Sequence, residues 1–570
     1  MKDGFTFLFP PPRTVRLGAG SVDCRSVCFP LEIFKKYDFL FRHFSLSNRS
    51  RGLQVVFQER TSRPAPRGPG SVDEEYAIDC RPGRVELSAD SARGQFYALS
   101  TLLQVLARFA DAGRMPVFSL RDAPVIAFRG AYLAGEAAAL AGAAALQRLL
   151  LQLALLKFNH MALPAAAGDD ARALAALAQR TGMVVLLLDP DPRSLAGLTV
   201  PGKAGNSPPE PPALFPSAVA EMADAPAAWL EFFLDHCRAA GAAGARTAAW
   251  SDIFLGRPEW IRRIPGDALV LNRAAGTGGG DPFRTAVLPF KEHHIRQVLC
   301  PGLCDRGRFI PDARAALERV SASMSAVLAG KLAGVMLAAA AGEGSRCLPA
   351  GTAMVRFQAA CLLWSGRPPG PEAFGRWALG RDEPDLFRIF SFLAQAEHRL
   401  PHSHNRYFFE DPLLAPFSQL VDAREIVAHF RKAAQYLKKR ESAAGEMAGF
   451  FDFVARLYGA IADKVQLSSR LAALLETAEG GKAIRLQAAG LLQAVMELKG
   501  LYAELCGGAP PEAGLREFDI LGERFTQLGR AAASPAARNA LLSALRNQAP
   551  LNAPEARPRD SRPEADEPAP

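Results

Sequence analysis

The side chains able to do chemistry are few and scattered. Glu221 and Asp224 stand three positions apart just before the helical run PAAWLEFFLDHC, and Glu343 sits between two glycines in AGEGSRC. Two carboxyl groups held about 5 to 10 Å apart are what an acid and base pair needs to cut a glycosidic bond. Each acid also has a plainer use. Glu221 and Asp224 suit the positive end of the helix that follows them, and Glu343 suits a solvated loop. Trp250 and Asp252 lie close together in WSDIF, where a core indole and a helix-start acid are the plain roles. The cysteine pairs Cys24/Cys28 and Cys300/Cys304 each lack the second pair that tetrahedral zinc requires, and nine cysteines do not make a disulfide framework. The histidine pairs His293/His294 and His402/His404 have no third ligand nearby. No phosphate loop, dinucleotide fingerprint or nucleophile elbow occurs in a strand-turn-helix setting. Neither a metal nor a cofactor is expected.

The elements that must position these residues follow from pattern. At 570 residues, 49% hydrophobic and 22% charged, the chain is too long for one core and has a globular balance. Its net charge of +9 is spread among acids without a basic run carrying aromatics, so nucleic acid is not an expected partner. Apolar stretches such as LQRLLLQLALLKF are too short and too charged to span a bilayer, and MKDGFTFLFPPPR lacks the apolar core of a secretory signal. A cytoplasmic protein without a membrane segment is expected.

Residues 1–118 alternate short β-rich runs (LQVVF, EYAIDC, RVELSA) and end in the amphipathic ARGQFYALSTLLQVLARF, which predicts a small α/β domain. Residues 119–375 alternate a short apolar run with a longer helical one, the pattern of parallel strands joined by crossover helices. Eight strand candidates occur there: AFRGAYLA, NHMALPA, GMVVLLLD, ALFPSAV, ARTAAWSDI, DALVLNRA, IRQVLCPG and LAGVMLAAA. Eight such units are the size of a closed (β/α)8 TIM barrel, with any active site at the carboxyl ends of its strands. Residues 383–548 carry apolar stripes at helical spacing and predict a helical C-terminal domain, while the Pro- and acid-rich 549–570 predict a disordered tail.

Several phrases in this order resemble family 20 glycoside hydrolases, the β-N-acetylhexosaminidases, in their bacterial hexosaminidase D-like branch. GQFYALSTLLQVL is similar to the end of that family's N-terminal domain, SLRDAPVIAFRGAYLA to the entry into barrel strand one, and LLKFNHMAL to strand two. WSDIF with PEWIRRIPGDALVLN resembles strand five and the run into strand six, and Cys300–Gly302 stands where strand seven ends. The likeness spans about residues 75–370.

The resemblance also shows what is missing. In the family an Asp-Glu pair ends strand four; the Glu protonates the leaving oxygen and the Asp orients the substrate's acetamido group. The corresponding residues here are Ser217 and Ala218, and a hydroxyl and a methyl cannot replace that pair. Ala134 stands at a family Asp after strand one, strand two ends in LPAAAG, and strand eight continues as MLAAAAGEGSRC where the family has Trp-Gly-Asp. Alanine supplies neither a wall for a sugar ring nor a charged hydrogen bond.

Of the family's binding positions, Arg129 matches an arginine that grips sugar hydroxyls, or else pairs with Asp122 or another barrel acid. Trp250 and Asp252 match positions near the pocket. The resemblance therefore implies a diverged, catalytically impaired relative that keeps a cleft for an amino sugar or glycan. Two other readings stay open. One is an active exo-β-N-acetylhexosaminidase in which Glu221, Asp224 or Glu343 have taken over. The other is a scaffold whose helical domain assembles with itself, as a homo-oligomer, or with another protein.

Overall fold

The computed structural model describes residues 5–59, 74–133, 143–164, 168–188, 226–242, 247–273, 283–303, 308–339, 347–399, 404–409, 423–440, 445–506 and 512–547. The N-terminal part is a six-stranded sheet built from β1 (Thr14–Asp23), β2 (Val27–Cys28), β3 (Leu53–Glu59), β4 (Tyr76–Arg81), β5 (Arg84–Ala89) and β6 (Arg114–Asp122). Its order is β1-β6-β4-β5-β3-β2. Two short helices, α1 (Leu31–Lys36) and α2 (Asp38–His43), lie between β2 and β3. The amphipathic run predicted from sequence is α3 (Ala92–Phe109), which buries Phe96, Tyr97, Leu99, Leu102 and Leu103 and is capped by Ser91, whose hydroxyl accepts from Gly94 N. Strand β6 pairs with both β1 and β4, so the N-terminal sheet runs past residue 118, where the sequence placed the boundary, to Asp122.

The second sheet is wholly parallel. Its strands are β7 (Phe128–Tyr132), β8 (His160–Pro164), β9 (Val184–Leu188), β10 (Ala248–Trp250), β11 (Leu269–Asn272), β12 (Arg296–Leu299) and β13 (Gly334–Ala338). They are ordered β10-β11-β12-β13-β7-β8-β9. The last strand pairs with the first, which is how a β/α barrel closes, and seven of the eight strand candidates appear in it. The remaining candidate, ALFPSAV, lies outside the described residues, and β9 and β10 are the two ends of the described sheet. Between strands run α4 (Ala143–Leu155), α5 (Gly168–Thr181), α6 (Pro226–Ala242), α7 (Ser251–Leu255), α8 (Leu288–Glu292) and α9 (Ala313–Gly330), with α10 (Pro349–Ser365) after β13. Inward side chains fill the lumen: Ala162, Leu186, Leu269, Leu271, Val298 and Met336 form one buried cluster with Tyr132 and Trp250. Gly334 is required where β13 meets β7, because a Cβ there would stand 2.1 Å from the Phe128 carbonyl oxygen.

The C-terminal region is helical, as its apolar stripes predict: α11 (Pro371–Leu379), α12 (Pro384–Arg399), α13 (His404–Phe409), α14 (Ala423–Lys438), α15 (Ala448–Leu475), α16 (Ala478–Leu505), α17 (Glu512–Ala533) and α18 (Pro535–Asn547). It docks on the barrel through Phe309, which follows β12 and meets the rings of Phe409, Phe453, Tyr502 and Phe518 at 5.3–5.7 Å between centroids. Such offset and edge contacts add to the area that each ring buries.

The N-terminal sheet joins the barrel through buried charge. Lys157, just before β8, and Asp122, at the end of β6, form an ion pair at 2.9 Å with both side chains wholly buried. Asp122 Oδ2 also accepts from Tyr76 Oη at 2.7 Å and Trp364 Nε1 at 2.8 Å, while its Oδ1 accepts from Arg13 N and Ala123 N. A carboxylate taken out of water needs this many donors. Burial pulls the Lys157 ammonium below its usual range and Asp122 opposes that pull.

Arg129 completes a second pair. Its Nη2 donates to Glu74 Oε2 at 2.5 Å and to Tyr97 Oη at 3.5 Å, its Nε to Lys157 O, and its Nη1 to Ile126 O and Ala127 O. All five N–H groups thus have protein acceptors, and the side chain is 1% exposed. These acceptors precede β7 and β8, at the amino end of the barrel. The expectation that Arg129 grips a sugar at the carboxyl end is corrected by this placement. The acid it pairs with is Glu74 of the N-terminal part rather than Asp122 or a barrel acid. The Trp364 ring receives both cations, Lys157 Nζ at 4.4 Å and Arg129 Cζ at 4.9 Å from its centroid.

Removing one partner of a buried pair leaves an uncompensated charge, which costs about 3–5 kcal/mol. Asp122→Asn is expected to lower the unfolding free energy by that amount in a urea titration, and adding Lys157→Met should recover part of the loss. At Glu74, burial pushes the carboxyl up, but Arg129, Arg93 and Asn159 outweigh it and hold the group below its ordinary 4.5. Because the folded value is the lower one, the stability Glu74 contributes is complete above pH 4.5 and is lost as pH falls through the folded value. Urea titrations between about pH 3 and pH 7 should therefore show a steeper acid loss in the wild type than in Glu74→Gln.

Candidate functional site

Different pairs of rings stand at the two ends of the lumen. At the amino end Phe128 stacks on His160, with centroids 3.7 Å apart and planes at 15°. His160 Nδ1 lies 2.6 Å from Asn159 Oδ1, and burial, with help from Arg93 and Arg129, pushes the imidazole well below its ordinary range. It is neutral at pH 7 and belongs to the structural end.

At the carboxyl end Trp250, the last residue of β10, reaches Tyr132, the last residue of β7, with centroids 5.6 Å apart. Strands one and five of an eight-stranded barrel face each other, so the indole and phenol meet across the lumen. Trp250 is 1% exposed.

Above this floor stand two charges. Arg273 follows β11, and its guanidinium carbon lies 4.5 Å from the centroid of the Trp250 ring. Its Nε donates to Asp252 Oδ2 at 3.3 Å, and the two side chains are 30% and 39% exposed. Asp252 sits in the first turn of α7, where an acid suits the helix dipole. Beneath them Ser251 Oγ is 3.3 Å from Asn272 Oδ1, and the Asn272 amide donates to Ala286 O and Gln297 Oε1. The thiol of Cys300, at the end of β12, is driven up by burial, which leaves it a neutral wall rather than a nucleophile.

Of the residues singled out from sequence, Trp250 and Asp252 are brought together here, joined by Arg273 and Tyr132, which sequence reasoning passed over. The signal for Arg273 was present: Asn-Arg ends an otherwise apolar barrel strand, the position from which barrel enzymes draw their working side chains. Glu221, Asp224 and Glu343 lie outside the described residues. Among the described residues Asp252 follows β10, Asp169 and Asp170 open α5 after β8 and Asp312 caps α9 after β12, and no cluster of three or more His, Cys, Asp or Glu among them is placed to hold a metal. Among the same residues no helix is long and apolar enough to cross a membrane.

No protein-family model and no curated protein matches the chain. Solved structures resemble it loosely. The GH20 exo-β-N-acetylglucosaminidase of Vibrio harveyi in complex with N-acetylglucosamine is 13% identical over 68% of this chain and 76% of its own, with a TM-score of 0.40. The β-N-acetylhexosaminidase of Bacteroides fragilis NCTC 9343 is 12% identical over 64% of this chain and 92% of its own, with a TM-score of 0.43. CpGH84D is 9% identical over 92% of this chain and 99% of its own, with a TM-score of 0.44. The barrel itself stands on the strand order described above.

Proposed function

We propose that this chain is a carbohydrate-binding β/α-barrel protein derived from a family 20-like hexosaminidase frame and impaired in hydrolysis. The observation that carries this reading is the composition of the barrel's carboxyl end. Its described part offers an aromatic floor of Trp250 and Tyr132, an arginine, and the carboxylate of Asp252 already paired to that arginine. Substrate-assisted cleavage still needs a protonated acid beside the scissile bond. Asp252, partly exposed and 3.3 Å from a guanidinium, suits hydrogen bonding to sugar hydroxyls. The phrases that resemble family 20 lie on β7, β8, β10 and β11, in the order and register that a barrel needs.

An assembly role for the helical region finds less support. Among its described residues the exposed large apolar side chains are Leu486 and Met496 on α16 and Ile520 on α17. Leu486 and Met496 are about 15 Å apart along their helix, and Ile520 adjoins Asp519, which pairs with Lys499. Single exposed apolar residues of this kind are normal on a monomer.

Purified protein is expected to show no release of nitrophenol from aryl β-N-acetylglucosaminide or β-N-acetylgalactosaminide above the rate with heat-denatured protein. Turnover that disappears in Glu221→Gln, Asp224→Asn or Glu343→Gln would overturn the impaired reading and identify the acid.

A further inference from the structure

We infer that Arg273 is a carboxylate-recognising residue, so that the site takes an acidic sugar in preference to a neutral N-acetylhexosamine. This rests on the carbohydrate-binding reading above and deepens it.

Arg129, on β7, and Arg273, just after β11, differ in how their donors are used. Arg129 gives all five N–H groups to protein acceptors and is sealed from water. Arg273 gives one, from Nε to Asp252 Oδ2, and the four N–H groups on Nη1 and Nη2 have no acceptor among the described residues. Its side chain is 30% exposed. A guanidinium free to swing would make little of four idle donors, but this one is held. Its guanidinium carbon lies 4.5 Å from the centroid of the Trp250 ring, which is buried against Tyr132, and Asp252 accepts from its Nε. The cation–π contact and this hydrogen bond hold the fork before a ligand arrives, and that lowers the ordering cost of binding.

The two terminal nitrogens match a carboxylate in bidentate geometry. Because Asp252 occupies Nε alone, a second carboxylate on the Nη edge does not displace it. Asp252 Oδ1 makes no hydrogen bond to a described residue and the side chain is 39% exposed, so it can accept from a hydroxyl next to the ligand's acid group. An acid and a neighbouring hydroxyl on one compact ring describe a uronic acid. A neutral N-acetylhexosamine would leave the guanidinium edge unmatched. The chain's net charge of +9 favours approach of an anion, an effect that salt screens.

Titration calorimetry with glucuronate, N-acetylglucosamine and acetate on the full chain tests this. Glucuronate is expected to bind at least tenfold more tightly than either of the others, as loss of a charge-assisted pair would cost. Arg273→Gln should erase that preference while the melting temperature holds, and Arg273→Lys, which keeps the charge but not the fork, should restore only part of it. If N-acetylglucosamine binds as tightly as glucuronate and Arg273→Gln changes neither, acid recognition is wrong and the carbohydrate reading survives. If acetate matches glucuronate, the site is a bare anion site and the acidic-sugar assignment fails. Binding of none of the three overturns both readings.

Discussion

A lysine and an aspartate, both wholly buried, meet between the N-terminal sheet and the barrel, and neither can be stable there without the other. The Asp122 carboxylate collects donors from β4, the start of the chain, the approach to β8 and the last barrel helix. The Trp364 indole then carries both Lys157 and Arg129 on its ring. No single part of the protein satisfies these groups by itself. A misregistered sheet or a displaced α10 would strand a charge out of water, so the network selects one relative placement of sheet and barrel. Buried ion pairs are weak sources of net stability, and this selective role suits them better.

That placement divides the barrel's labour. Its amino end is spent on holding the N-terminal sheet, with Arg129, Asn159 and Lys157 turned toward Glu74 and Asp122. Its carboxyl end keeps two charges partly in water above an aromatic floor. The Phe128–His160 pair stands at the amino end of the lumen and the Tyr132–Trp250 pair at its carboxyl end. An arginine fork beside a paired carboxylate suits recognition, whereas bond cleavage needs a proton donor beside the scissile bond.

The barrel strands were legible because parallel strands buried on both faces read as short continuous apolar runs, as in MVVLLL and LVLN. The partners of Arg129 were not, since periodicity does not tell which end of a strand a side chain serves. Its acid, Glu74, stands 55 residues away in sequence, just after a run rich in Pro, Arg and Gly at 60–70. Lys157 had a signal that went unread. A lone lysine inside LLLQLALLKFNHMAL has no solvated face to occupy, so it had to find a buried acid. The domain boundary fell at 118 rather than past Asp122 because SLRDAPVIAFRG reads as one entry into the barrel, whereas its first half pairs with β1 and β4. Trp250 and Asp252 were found because WSDIF resembles a family strand end near the pocket, and Arg273 escaped because an arginine after asparagine resembles an ordinary turn.

Hydrogen exchange followed by mass spectrometry, on the wild type and on Asp122→Asn, tests the interlock most directly. If the buried network joins sheet and barrel into one unit, peptides covering β4 and β6 and those covering β7 and β8 share one opening free energy, and the substitution lowers protection in all of them together. Loss of protection confined to β4 and β6, with β7 and β8 as slow as before, would contradict it.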